Sequence, residues 1–388
     1  MPVYDAEDIV ELRNRSLRRK RRIRFLIFLL VAMTAFTLYV TRSAWMPKIK
    51  GIGKHYSTIV NSGKLAEGNF PIGVSEEGSC QLRQTGGKVI VLTDVEVFFY
   101  NTDGALMRKH QHAYTNAVLR AADGRALIYE HGGNDMCIED EEGTLYKKHF
   151  SKSIMFARIS KEGYAAVVTA SDNYDCEINV YDSTGKWIYE RKCMEHVNDL
   201  CFTDKSGGCV ISSIKAENGK LVTTAQAFSF SKGEDKWVSA GLDTFGLEVY
   251  GFKDGAFVLG IDACGYIDTS GQISSYYRYD GDLIGGASKG GKSAVIVNND
   301  DRRKYIMALF SDGSSQPLIV ELDEPSVDVS IYDGLAYVMC TDEMRAYDFD
   351  GSLRSTAAIS DSYSGFVRSK DYIFLKGYNK IDRIDYES

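Results

Sequence analysis

Proline is scarce in this chain, 5 in 388 residues, tryptophan numbers 3, and neither a Cys-x-x-C motif nor an adjacent Cys-Cys pair occurs. Without Cys-x-x-C there is no thiolate framework for zinc and no thioredoxin-type redox motif. The body of the chain also lacks basic charge: residues 43–388 carry 37 Lys and Arg against 49 Asp and Glu. That balance of −12 argues against nucleic acid, whose phosphates require a cationic face. Long apolar runs are missing as well, with one exception near the N-terminus. What is abundant is Tyr (24), Phe (18) and Gly (36), a composition that favours strands and tight turns over helices.

The exception lies between Arg24 and Arg42, where 17 residues carry no charge. As a helix they span roughly 26 Å, the short end for a bilayer, and the two flanking arginines extend the span by snorkelling. Residues 1–42 hold 9 Lys and Arg against 4 Asp and Glu, and eight of those cations precede the apolar run. The positive-inside rule therefore places residues 1–23 in the cytoplasm and the rest outside. A cleavable signal peptide is disfavoured, because a cut after Ala44 puts Arg42 where a small residue is needed. The expected layout is a basic cytoplasmic tail (1–23), a transmembrane signal-anchor helix (24–42), a linker (43–54) and an extracytoplasmic domain (55–388).

That domain repeats. A turn followed by a short apolar strand recurs as TGGKVIVL (85–92), ADGRALIY (122–129), KEGYAAVV (161–168), KSGGCVIS (205–212), KDGAFVLG (253–260), KGGKSAVI (289–296), YDGLAYVM (332–339) and SKDYIFLK (369–376). All but the last have Gly third, where a positive φ is expected. The spacing is roughly 41 residues, within the range of propeller blades. A second turn, NTDG (101–104), DEEG (140–143), DSTG (182–185), SKGE (231–234), DTSG (268–271), SDGS (311–314) and DFDG (348–351), suits a type I turn followed by a bulge. Residues 156–193 are the clearest unit, with strands expected over 156–160, 164–170, 177–182 and 186–193. A lone four-stranded meander cannot bury both faces, so it must stack on its copies. The last repeat ends at its third strand, 380–386, and residues 64–74 are free to supply its fourth. The expected fold is an all-β, eight-bladed β-propeller preceded by a single N-terminal transmembrane helix, with seven blades as the alternative.

The segment VYDSTGKWIYE (180–190) resembles the repeat of quinoprotein-type and WD40-like propellers, whose outer hairpins carry a tryptophan after Asp-x-x-Gly; here Trp187 keeps it. The whole layout is similar to an uncharacterised bacterial domain-of-unknown-function family of single-pass membrane proteins with an extracytoplasmic propeller. That resemblance implies a fold and brings no functional motif with it.

GASKGGKS (286–293) matches the P-loop pattern letter for letter, but it leads into the β-type run AVIVNN rather than a helix, so no nucleotide is expected. Several of the eight cysteines sit among apolar strand residues, and mostly free thiols are expected. His110 and His112 alternate without a third metal ligand. Tyr276, Tyr277 and Tyr279 suit either sugar stacking or packing between blades. Turns between second and third strands carry Asp135, Asp172, Asp175, Asp300, Asp301 and Asp342; one propeller face thus collects carboxylates able to meet a cation or an amino-sugar, although aspartate is also a common turn former. No catalytic set and no cofactor are assigned. The leading expectation is a non-enzymatic binding or scaffold platform in the cell envelope, its partner a protein or a cell-wall polymer. The alternatives are a glycan-active or hydrolytic enzyme with a site in the central channel, and a sensor coupled to a cytoplasmic partner.

Overall fold

The structure, a computed structural model, describes residues 70–74, 80–231, 233–313, 316–359 and 363–385, together with Met33. The chain divides into Met1–Leu65 and Ala66–Ser388, and every described residue except Met33 belongs to the second unit. The expected tail, span and linker lie outside the described residues, Met33 apart. Among the described residues no helix is long and apolar enough to cross a membrane.

Eight antiparallel four-stranded sheets follow one another along the chain; seven run inner strand to outer strand in sequence order, and the eighth takes its outermost strand from the N-terminal side. They span residues 81–111, 117–149, 154–193, 196–238, 246–278, 282–322 and 326–358, blades 1 to 7 here, and 365–385 in blade 8. The inner strands touch one another in succession, and the eighth touches the first, so the ring is closed. This is the eight-bladed β-propeller. In blade 3 the strands are Ile154–Ile159, Ala165–Ala170, Cys176–Tyr181 and Trp187–Cys193, within two residues of the sequence expectation at nearly every end.

The turns follow from their residues, with informative departures. Gly87, Gly124, Gly163, Gly291 and Gly334 all take φ between 70° and 82°, as the first turn requires. Gly207 does not: its φ is −81°, and Lys205 and Ser206 take the left-handed positions inside a short 3-10 turn instead. In the second turn Asp182 Oδ1 accepts hydrogen bonds from the amides of Thr184 (2.9 Å) and Lys186 (3.0 Å), Gly185 sits at φ 85°, and the outer strand then bulges. The P-loop-like segment is a hairpin, with strands Asp282–Lys289 and Lys292–Asn299 around Gly290-Gly291 and no helix N-terminus to face a phosphate.

Burial explains why second and third strands are apolar on both faces. Each of eight apolar clusters joins two neighbouring blades: Ile90, Leu92 and Phe99 of blade 1 meet Leu119, Ile128 and Cys137 of blade 2, and the pattern repeats round the ring. Tyr277 and Tyr279 pack with the cluster between blades 5 and 6, which settles them as blade-to-blade packing. All eight cysteines are free thiols and seven are buried. The last cluster closes the circle: Ile72, Phe374 and Ile381 of blade 8 meet Leu82, Val89 and Val91 of blade 1. Ile72 comes from the strand Ile72–Gly73, which pairs with Lys380–Asp385 and supplies the missing fourth strand.

Antiparallel order defines two faces. The lower face carries the turns from first to second and from third to fourth strands. The upper face carries the turns from second to third strands and the connections between blades. Ile72 pairs with Ile381 and Gly73 with Lys380, so the closing strand runs from the lower face upward. Phe70 consequently lies at the lower side, under the Arg383 guanidinium, 5.5 Å from its ring centroid.

Candidate functional site in the central channel

Five consecutive inner strands, in blades 3 to 7, bulge near their start. The extra residues are Met155, Asn198, Leu247, Ile284 and Val327, and a bulge re-aims the chain beyond it. In blades 4, 5 and 7 the residue directly after the bulge is acidic: Asp199, Glu248 and Asp328. The inner strands of blades 1, 2 and 3 instead carry Arg83, Arg120 and Arg158. The channel is therefore lined by a basic arc and an acidic arc.

A cavity of about 440 Å³ opens from this channel toward the lower face, with Arg83, Arg120, Arg158, Asp199 and Glu248 in its wall. A second, of about 660 Å³, opens toward the upper face beside His131, Asn198 and His196, and Arg120 and Arg158 line both. Part of the charge is internally satisfied. Arg158 Nη2 lies 2.5 Å from Asp199 Oδ1, and Asp199 Oδ2 accepts from the Val249 amide at 2.8 Å, tying blade 3 to 4 and 4 to 5. Asp328 accepts from the amides of Val329 (2.8 Å) and Phe366 (3.3 Å), tying blade 7 to 8. Gln81 does the same neutrally between blades 1 and 2, donating to the Ala117 carbonyl (2.7 Å) and accepting from the Leu119 amide (2.9 Å).

Arg83 and Arg120 differ. Among the described residues neither forms an ion pair; each donates to the carbonyl of its preceding residue, Leu82 at 2.8 Å and Leu119 at 3.3 Å. Burial, then the Arg120 guanidinium, presses the Arg83 pKa below its ordinary value; burial and Arg158 do the same to Arg120.

Burial lifts the Asp199 carboxyl above the ordinary aspartate range, outweighing Arg158 and the Val249 amide, which pull it down. A raised acid supports the fold while protonated, and that support is lost as pH rises from the unfolded value, about 3.9, through the folded one. The stability of the parent relative to Asp199→Asn is therefore expected to fall as pH climbs from about 4 through that window, then level off. Urea unfolding of both proteins across the range checks this; a flat difference contradicts the raised acidity.

The six aspartates read from the sequence lie on the upper face in blades 2, 3, 6 and 7. Several are occupied locally: Asp135 by His149 (2.9 Å), Asp172 by Lys152 (2.5 Å), Asp175 by His196 (3.0 Å) and Asp300 by the Asn298 side chain (2.7 Å). Asp301 and Asp342 sit in the turns of blades 6 and 7. Among the described residues no three His, Cys, Asp or Glu side chains come together to hold a metal ion. His110 Nδ1 lies 3.3 Å from Glu139, while His112 Nε2 is 2.9 Å from the Thr93 carbonyl. Trp187 is 52% exposed, its indole donating to Asn179 within its own blade at 3.1 Å. The arginine arc was missed in the sequence, though a signal existed: Arg83 and Arg120 each stand four residues ahead of the turn glycines Gly87 and Gly124, and Arg158 five ahead of Gly163.

Residues 71–386 match the family described as a family of unknown function, DUF5711. No curated protein matches the sequence. Among solved structures, the computationally designed protein Ika8 is similar over 82% of this chain and 98% of its own, at 12% identity and a TM-score of 0.63. Sqt1 of Saccharomyces cerevisiae is similar over 83% of this chain and all of its own, at 7% identity and a TM-score of 0.61. BamB from Moraxella catarrhalis covers 81% of this chain and 96% of its own, at 12% identity and a TM-score of 0.55. At such identities the likeness carries the fold alone.

Proposed function

The chain belongs to the DUF5711 family, and for it we propose a non-enzymatic binding platform, tethered to the membrane and extracytoplasmic, that docks a protein partner on its upper face. The observation that carries this reading is the uneven placement of exposed apolar side chains. Val95, Tyr174, Met194, Phe245, Ile261 and Tyr378 stand exposed on upper-face turns and connections, Tyr378 at 80%. Leu247, Ile284 and Val327, three of the five bulge residues, add apolar exposure around the channel mouth. Apart from Leu221, at the start of the third strand of blade 4, the other large apolar side chains exposed in the propeller lie on outermost strands, and among the described residues none lies in a first-to-second-strand turn of the lower face.

Aromatic and aliphatic groups held in water on one side of a rigid scaffold suit burial against a protein rather than a polar polymer. Blade 4 adds a projecting element. Its strands Gly208–Glu217 and Lys220–Ser229 are ten residues each, and the inner strand pairs no further than Ile214, so the hairpin tip with exposed Leu221 stands beyond it. The tether reading rests on the sequence: the basic tail and the uncharged run.

The test is cross-linking and co-purification of the full-length protein from its native membrane. Leu247→Asp, Ile284→Asp and Val327→Asp together are expected to cut recovery of the partner at least tenfold, while Lys161→Glu with Lys205→Glu on the lower face leaves it unchanged. Equal recovery with the upper-face variant, or no stoichiometric partner at all, removes the platform reading.

A further inference from the structure

We propose that the lower channel cavity binds a small zwitterion, a free amino acid or short peptide, with its carboxylate on Arg83 and Arg120 and its ammonium group on Glu248. The cavity, about 440 Å³, is at the modest end of small-ligand sites and opens to solvent past Lys161 and Lys205. Its two walls carry opposite charge that the protein does not pair with itself. On one side, Arg83 and Arg120 make no ion pair among the described residues, and each spends one N–H on a neighbouring carbonyl. A guanidinium has five donors in a planar fork, so most of this capacity is open and suits a planar carboxylate.

On the other side Glu248 is exposed in the channel wall and accepts a hydrogen bond from the Tyr250 hydroxyl. No lysine or arginine among the described residues pairs with it. The two sets stand on different blades, Arg83 and Arg120 on blades 1 and 2 and Glu248 on blade 5, and they attract each other without forming an ion pair among the described residues. Arg158, between them, is already neutralised by Asp199. A ligand with a negative group at one end and a positive group at the other completes both walls at once. A simple anion meets the arginines but gains nothing from Glu248 and is repelled by it; a simple amine has the converse problem. Burial, then the Arg120 guanidinium, presses the Arg83 pKa down, and burial, then Arg158, that of Arg120; an arriving carboxylate offsets the cationic part of both.

The experiment is titration calorimetry on the full-length protein in detergent with L-alanine, glycylglycine, N-acetyl-L-alanine and L-alaninamide. Saturable binding is expected for the zwitterions, at least tenfold weaker for the two blocked compounds. The free amino acid and the dipeptide separate the two sizes of ligand. Arg120→Gln and Glu248→Gln are each expected to weaken zwitterion binding at least tenfold while leaving the melting temperature of the unliganded protein unchanged. Binding of N-acetyl-L-alanine as tightly as L-alanine, or an unaffected Glu248→Gln, overturns the proposal in favour of an anion site. Absence of saturable binding by either zwitterion overturns it outright.

Discussion

Replacing Ile72 is expected to open the ring. Ile72 is 3% exposed, pairs with Ile381 and belongs to the cluster that joins blade 8 to blade 1. Truncation to alanine leaves a cavity in that cluster and is expected to cost about 2–5 kcal/mol. Ile72→Asp costs more, because an unpaired carboxylate is then desolvated between Ile381 and Val89. The two-residue strand Ile72–Gly73 is held further by the Val74 amide, which donates to the Asn379 carbonyl at 2.8 Å, and by Phe70, whose ring packs 5.5 Å from that of Phe374. Its release bares the edge of Lys380–Asp385, a template for pairing with another chain. Hydrogen exchange should therefore rise selectively at the amides of Lys380–Asp385 in full-length Ile72→Asp, with self-association visible by size-exclusion chromatography. Unchanged exchange in that strand means that ring closure does not depend on the N-terminal strand.

Glu139→Ala is expected to be the most damaging single charge deletion. The Glu139 side chain is fully buried in blade 2, facing the outer strand of blade 1, with Arg108 Nη1 at 3.2 Å and His110 Nδ1 at 3.3 Å. Its Oε1 also accepts from the Thr144 hydroxyl at 3.0 Å. Removing one partner of a buried pair leaves the other uncompensated, a loss of about 3–5 kcal/mol. Arg108 retains the Asp140 carbonyl at 2.7 Å and the face of Phe99 at 5.9 Å, neither of which carries a countercharge. Glu139→Gln keeps an acceptor for Thr144 and should cost less. Combining Glu139→Ala with Arg108→Met should cost less than the sum of the single changes, because the orphaned cation is gone. Denaturant unfolding of the parent and the four variants measures this; a Glu139→Ala loss below about 1 kcal/mol would mean that the network is not holding blade 1 to blade 2.

Much of the architecture was legible because its determinants are local. Gly at a left-handed position and Asp bonding its own backbone act over four residues, and they recur with the blade period; Asp182 and Gly185 behave as their types require. The shortfall of one outer strand at the end of the chain pointed to residues 64–74, and Ile72–Gly73 takes that place. Gly207 shows the limit, since an inserted 3-10 turn moved the positive φ to Lys205 and Ser206. The candidate site was poorly legible. Arg83, Arg120 and Arg158 lie in three repeats, and nothing within any one repeat distinguishes a channel-facing arginine from a solvated one. The aspartates that stood out in the turns were conspicuous for their chemistry, yet Asp135, Asp172 and Asp175 each meet a nearby cation-forming side chain.

The sequence by itself determined the repeat, the hairpin turns, the strand that closes the circle and the apolar character of second and third strands. Those features answer to torsional preference and hydrophobic burial, which act over a few residues and repeat with the blade. Only the tertiary structure decided that the bulges of blades 3 to 7 turn Leu247, Ile284 and Val327 toward solvent, and that arginines and acids from distant repeats face each other across a cavity. Side chains tens or hundreds of residues apart become neighbours only once the ring has closed, and their electrostatic relation is a property of that closed geometry.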